Sequence, residues 1–202
     1  MTPIEHAEAA KALFEAERSG AQIGLLSLQY SGMSMDDAYA VQAELVALKR
    51  ASGNDVIGWK IGLTSKAMQY ALNIDIPDSG VLLADMVFAD GATVPKGRFI
   101  QPRIEAEIAF VMGADLSGPD CTIEDVLTAT DHILPSLEIL DTRILRVDPA
   151  SGKTRTIVDT IADNAANAGI VTGGTPVRPE DVDMRWLGAI VSRNGEVEET
   201  GL

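Results

Sequence analysis

The chain has 202 residues, 46% of them hydrophobic and only 4% aromatic, with 30 acids against 16 bases and a formal charge of −14. That length supports one domain with a sizeable aliphatic core, or a main domain with a small helical appendage. The charge excludes nucleic acid and anionic membrane as partners, because such a surface repels both. The single cysteine, Cys121, allows no internal disulfide and fits a reducing compartment.

The start, "MTPIEHAEAA", carries acids and no apolar core, so it does not read as a secretory signal. No apolar run approaches the ~20 residues needed to span a membrane. The expected location is cytoplasmic. Residues 3–18 read as a helix ending near Gly20. A second helix is expected over 34–53, where Ser34 and Asp37 form a capping pair. Ala38, Val41, Leu45 and Leu48 give it an apolar stripe, and Lys49, Arg50 and Gly53 suit its end.

The period then changes. "VIGWKIGLT" alternates as a strand and "SKAMQYAL" follows as a short helix. Strands are expected at "GVLLADMVF", "ATVPK", "RIEAEIAFVM", "HILPSLEIL" and "NAGIVTGG". One helix over 122–129, capped by Thr122 and Asp125, interrupts them. Asn194-Gly195 between alternating segments marks a terminal hairpin. The class is therefore α+β: an N-terminal helical segment over 1–53, then a strand-rich body over 54–202. No regular βαβ alternation is present, which disfavours a Rossmann or TIM architecture, and there is no glycine-rich phosphate loop.

Chemistry concentrates in three places. Glu105 and Glu107 lie two apart in a strand and so project from one face, with β-carbons roughly 7 Å apart. Two solvated carboxylates on a sheet surface would explain them. Glu138, flanked by Leu137, Ile139 and Leu140 in "ILPSLEILD", does not fit that explanation. Three carboxylates cluster only if a cation offsets their desolvation and repulsion, and Mg²⁺, with an all-oxygen shell and exchangeable waters, suits them. Lys60 in "GWKIG" is the second place. Either its head snorkels to water, or it faces the metal site to hold a substrate carboxylate or carry a proton. The third is "DTRILRVDPASGKTRT", which gathers Arg143, Arg146, Lys153 and Arg155. It reads either as a solvated basic loop or subunit contact, or as a lid whose Arg143 or Arg155 grips a second substrate carboxylate. His132 reads as a structural histidine and His6 as a surface one. Asn164 and Asn167 either bind a substrate carboxylate or order a loop.

Five motifs, in order, resemble one family: "GWKIGLTSKAMQ", "IPDSGVLLADM", "RIEAEIAFVM", "TDHILPSLEILDTR" and "DTIADNAANAGIVTGG". They are similar to the fumarylacetoacetate hydrolase superfamily, in its branch of 2-oxo-4-enoate hydratases and decarboxylases from meta-cleavage pathways of aromatic degradation. The segment "LRVDPASGKTRTIVDTIADNAANAG" is most similar to members acting on a seven-carbon 2-oxo-4-enedioate.

The resemblance implies a mixed β-roll, a homo-oligomer and a small 2-oxo acid substrate. It implies Mg²⁺, with Mn²⁺ as a substitute, held at Glu105, Glu107 and Glu138. It also implies catalytic roles for Lys60 and, in "PDSG", Asp78. Hydration at C4 then needs protons moved at C3 and C5, for which Lys60 and Asp78 are the candidates. A decarboxylase of the same branch is the alternative reaction. Members of the family continue well past "EETG", so the body is expected to be C-terminally incomplete here. A truncated metal-binding or assembly subunit without activity is the reading from another class.

Overall fold

The computed structural model describes residues 1–66, 69, 70, 74 and 76–201. The helix expected over 65–72 lies partly outside the described residues. Two compact units emerge. The first comprises Met1–Val87, Thr93–Arg103 and Ile139–Gly169, and the second Phe88–Ala92, Ile104–Glu138 and Ile170–Leu202. Residues 1–53 fall in the first unit together with the first two strands.

In the first unit, α1 (Pro3–Ser19) and α3 (Met35–Ala51) bury the faces that their spacing dictates: Ala9, Ala10, Leu13 and Ala16 on one, Ala38, Val41 and Leu45 on the other. Both begin with a capping box, Thr2 with Glu5 and Ser34 with Asp37. Gly20 ends α1 in the left-handed region at φ 69°, which a glycine adopts without steric cost. Two short helices join them, α2 (Leu26–Gln29) and α5 (Ile157–Ala162). Leu26, Ile144, Ile161 and Ala162 complete this core. A buried Asp159 ties α2 to α5 by accepting from the Ser27 backbone N–H at 2.8 Å and its hydroxyl at 2.7 Å. Neither helix was expected from periodicity; each is too short to show one. Strands β1 (Val56–Gly62) and β2 (Asp78–Leu83) pair antiparallel, with Lys60 opposite Gly80 and Gly62 opposite Asp78. The stretch expected as one strand from Gly80 to Phe88 breaks at a 3-10 turn, Ala84–Met86, before the short β3 (Val87–Phe88). "ATVPK" is loop.

A four-stranded sheet runs in the order β3-β6-β5-β4, where β4 is Arg103–Met112, β5 Thr130–Leu140 and β6 Asn167–Thr172. Helix α4 (Ile123–Ala129), capped by Thr122, leads into β5. Both faces of β4 are largely exposed, Ile104 and Phe110 on one and Glu105 and Glu107 on the other. β7 (Ala189–Arg193) and β8 (Glu196–Gly201) form the expected hairpin, with Asn194 and Gly195 both at positive φ as a two-residue turn requires.

The first unit also holds a buried charge network. Arg143 is 2% exposed. Its backbone N–H and Nε donate to the Asp163 carboxylate, and Nη2 donates to the Asp163 carbonyl at 2.6 Å. Nη1 donates to the Asn167 carbonyl and lies 3.8 Å from Glu17. Lys49, also buried, pairs with Glu17. Burial opposes ionisation of Glu17, yet Lys49 and Arg143 outweigh it and hold the carboxyl below its usual range.

Removing one member of such a pair strands the other charge in a dry site. Arg143→Met should lower the unfolding free energy by about 3–5 kcal/mol in urea denaturation, and Arg143→Met with Asp163→Leu should recover much of that loss.

Candidate metal and proton-transfer site

In the second unit, β4 and β5 are neighbours, and the carboxylates of Glu105, Glu107 and Glu138 converge. One oxygen from each lies within 4.8 Å of the others. Glu105 and Glu107 are exposed, as same-face residues of an edge strand should be, whereas Glu138 is 7% exposed. Three oxygens so placed suit one hard divalent cation. An all-oxygen donor set with open sides is what Mg²⁺ takes, and a buried carboxylate among like charges otherwise carries a large desolvation cost. Asp141, three residues after Glu138, stands outside this set: it accepts from the backbone N–H groups of Ile100 and Gln101 at 2.8 and 2.7 Å.

In the first unit, the β1–β2 ladder puts Lys60, Gly62, Asp78 and Gly80 on one face. A Cβ at Gly62 would overlap Asp78 Oδ1 and stand 3.1 Å from Lys60 Nζ, so the bare glycine is the space in which amine and carboxylate meet. Lys60 is half-buried. Asp78 is buried, and among the described residues its Oδ1 has no hydrogen-bond partner. Burial raises the Asp78 pKa, against the opposing pull of Lys60 and of the Gly62 N–H. A carboxyl that keeps its proton more readily than usual, set beside an amine, is equipped for proton transfer.

Other expected site residues sit elsewhere. The lid reading of Arg143 is corrected, since its donors are spent inside the core on Asp163 and Asn167. Arg155 is half-buried; burial lowers its pKa, while Asp163 and Asp159 pull the other way. The buried Asn164 amide donates to the Val81 carbonyl at 2.9 Å and accepts from the Val81 N–H at 2.7 Å, so its side chain orders a turn. Asn167 donates to the same carbonyl at 3.1 Å. His132 pairs with its neighbour Asp131. His6 is not simply a surface residue, because Nε2 lies 2.8 Å from Asp37 with its side chain mostly covered. Gly62 and Gly80 were not singled out from the sequence. Their role lies in the space above them.

The chain belongs to the hydratase and decarboxylase branch of the fumarylacetoacetate hydrolase superfamily. It is 50% identical over 197 residues to the 2-oxo-hept-4-ene-1,7-dioate hydratase of Escherichia coli, covering 98% of this chain and 74% of that one. It is 42% identical over 201 residues to the 2-keto-4-pentenoate hydratase of Paraburkholderia xenovorans (strain LB400), covering 100% and 72%. The structure superposes with a TM-score of 0.91 on the 4-oxalocrotonate decarboxylase from Pseudomonas putida G7, complexed with magnesium and adipate. Sequence identity there is 35%, over all of this chain and 74% of that one. No protein-family model matches the sequence. No helix among the described residues is long and apolar enough to cross a membrane.

Two outcomes follow from this chemistry. Glu138→Gln should weaken Mg²⁺ binding, measured by calorimetry, by at least the roughly 10–100-fold typical of outer-shell changes, and should raise the metal-free Tm by removing a buried like charge. The raised pKa of Asp78 means that the folded state disfavours its ionised form. Stability should therefore fall as pH rises from the unfolded value near 3.8 through the folded one. Asp78→Asn should remove that fall, seen as a flatter Tm profile from acid to neutral pH.

Proposed function

We propose that the chain is a metal-dependent hydratase that adds water to C4 of a 2-oxo-4-enoate, with 2-oxohept-4-ene-1,7-dioate as substrate. The observation that carries this is the convergence of Glu105, Glu107 and Glu138, which would hold a divalent cation, Mg²⁺ before Mn²⁺. Such a cation supplies a Lewis acid for a substrate carboxylate and its adjacent oxo oxygen. The chain's own contribution to proton movement is the Lys60–Asp78 pair. Asp78, biased toward its protonated form, can deliver a proton to the carbon chain, and Lys60 can stabilise the carboxylate left behind. Exchange at C3 and C5 of the substrate shifts the conjugation so that C4 accepts water. The 50% identity to a dioate hydratase favours the seven-carbon substrate. Arg155 is the remaining candidate of the basic segment for its far carboxylate. We assign the protein to the cytoplasm and to a homo-oligomer.

The superposition on a decarboxylase supports a second reaction, loss of CO₂ from a 2-oxo-3-enedioate, on the same residues. Purified protein with Mg²⁺ should consume the dienol form of the heptenedioate, followed by absorbance, without releasing CO₂. Release of CO₂ in step with absorbance loss would make it the decarboxylase. Lys60→Met keeps the stem and deletes the charge, so it should fold and lose roughly 10²-fold or more in kcat. Retained turnover would remove Lys60 from the mechanism.

A further inference from the structure

One segment of the first unit is strained. Asn164, Ala165 and Ala166 follow one another at φ 54°, 52° and 59°. Left-handed backbone is avoided by side chains with a Cβ, and three such residues in a row persist only where the surroundings over-determine them. All three are buried. Arg143 grips Asp163 immediately before the turn. The Asp141 N–H donates to the Ala166 carbonyl at its far end. The Asn164 side chain clasps Val81 of β2 through both of that residue's backbone groups.

This over-determined turn presses on Gly80, the ladder partner of Lys60. A Cβ at Gly80 would meet the Asn164 carbonyl oxygen at 2.5 Å, Lys60 Cγ at 3.2 Å and the Ala165 Cβ at 3.3 Å. The turn and the lysine stem therefore share one small space above a bare glycine. A right-handed turn would carry the Ala165 methyl elsewhere.

We infer that Ala165 is a positioning residue: its methyl, delivered by the left-handed turn, walls in the Lys60 stem and keeps Nζ against Asp78. The inference rests on the proton-transfer role proposed above for Lys60. Ala165 touches no reacting atom and acts only through the lysine. It explains why strain is retained where glycine would relieve it.

The test compares Ala165→Gly with Ala166→Gly. Glycine is at ease at positive φ, so both variants should keep or raise Tm. Only Ala165→Gly should lower kcat, by roughly tenfold or more, with KM within about twofold, and shift a limb of the kcat–pH profile. The Lys60 side-chain ammonium signal in ¹⁵N-resolved NMR, assigned by its loss in Lys60→Met, should move in Ala165→Gly and stay in place in Ala166→Gly. That measurement needs no turnover. An unmoved Lys60 signal, or equal effects of the two glycines on signal and kcat, would overturn the positioning role. Full turnover in Lys60→Met would overturn the proton-transfer reading instead, and a moved Lys60 signal in Ala165→Gly would still uphold the wall.

Discussion

The buried pair of Arg143 and Asp163 is the constraint on which the first unit turns. A guanidinium out of water is tolerable only when its donors are met, and here Asp163 and the Asn167 carbonyl meet them. Those bonds fix the backbone on either side of residues 164–166. The turn in turn holds Val81, Val81 holds β2, and β2 carries Asp78 opposite Gly62 and beside Lys60. Glu17 and Lys49 link the same network to α1 and α3. Helix packing and the Lys60–Asp78 face thus rest on one set of charges.

The molecule houses its unusual carboxylates in two ways. Asp78 is isolated, dehydrated and set against a lysine, so its environment favours holding a proton. Glu105, Glu107 and Glu138 are set against each other, with two exposed and one buried, so their environment favours a cation. In a chain of formal charge −14, acids are abundant. Few of them are buried, and Asp78 and Glu138 are among those few.

Signals confined to a few neighbours were readable in the sequence. Ser34 with Asp37, Thr122 with Asp125, and Asn194-Gly195 all act within four residues, and the same-face pairing of Glu105 with Glu107 follows from strand geometry. Glu138 was legible because a carboxylate amid Leu and Ile is anomalous whatever the fold. Arg143 misled, since four bases in one stretch look like a wet loop. Its partner Asp163 lies 20 residues on, with nothing local to announce it. The left-handed turn was illegible for a similar reason: its alanines favour a right-handed helix, and only tertiary contacts override that preference. Helix α5 was a missed opportunity, because Thr156 and Asp159 repeat the capping pair that was recognised twice elsewhere.

That repeated pair has a consequence for how the molecule meets acid. Four helices open with Thr or Ser answered three residues later by Glu or Asp. In three of them the closing acid titrates below its usual range. Glu5 is held there chiefly by the Thr2 backbone and hydroxyl, Asp37 by the N-terminal amine and Ser34, and Asp125 by the Thr122 hydroxyl and backbone. Their contribution is present above the ordinary carboxylate range and lost as pH falls through their lowered values. Acidification therefore does two opposed things. It quenches the mutual repulsion of an anionic surface, and it unfastens the helices at their first turns. Mild acid acts first on the repulsion, and stronger acid frays the helices from their N-terminal ends.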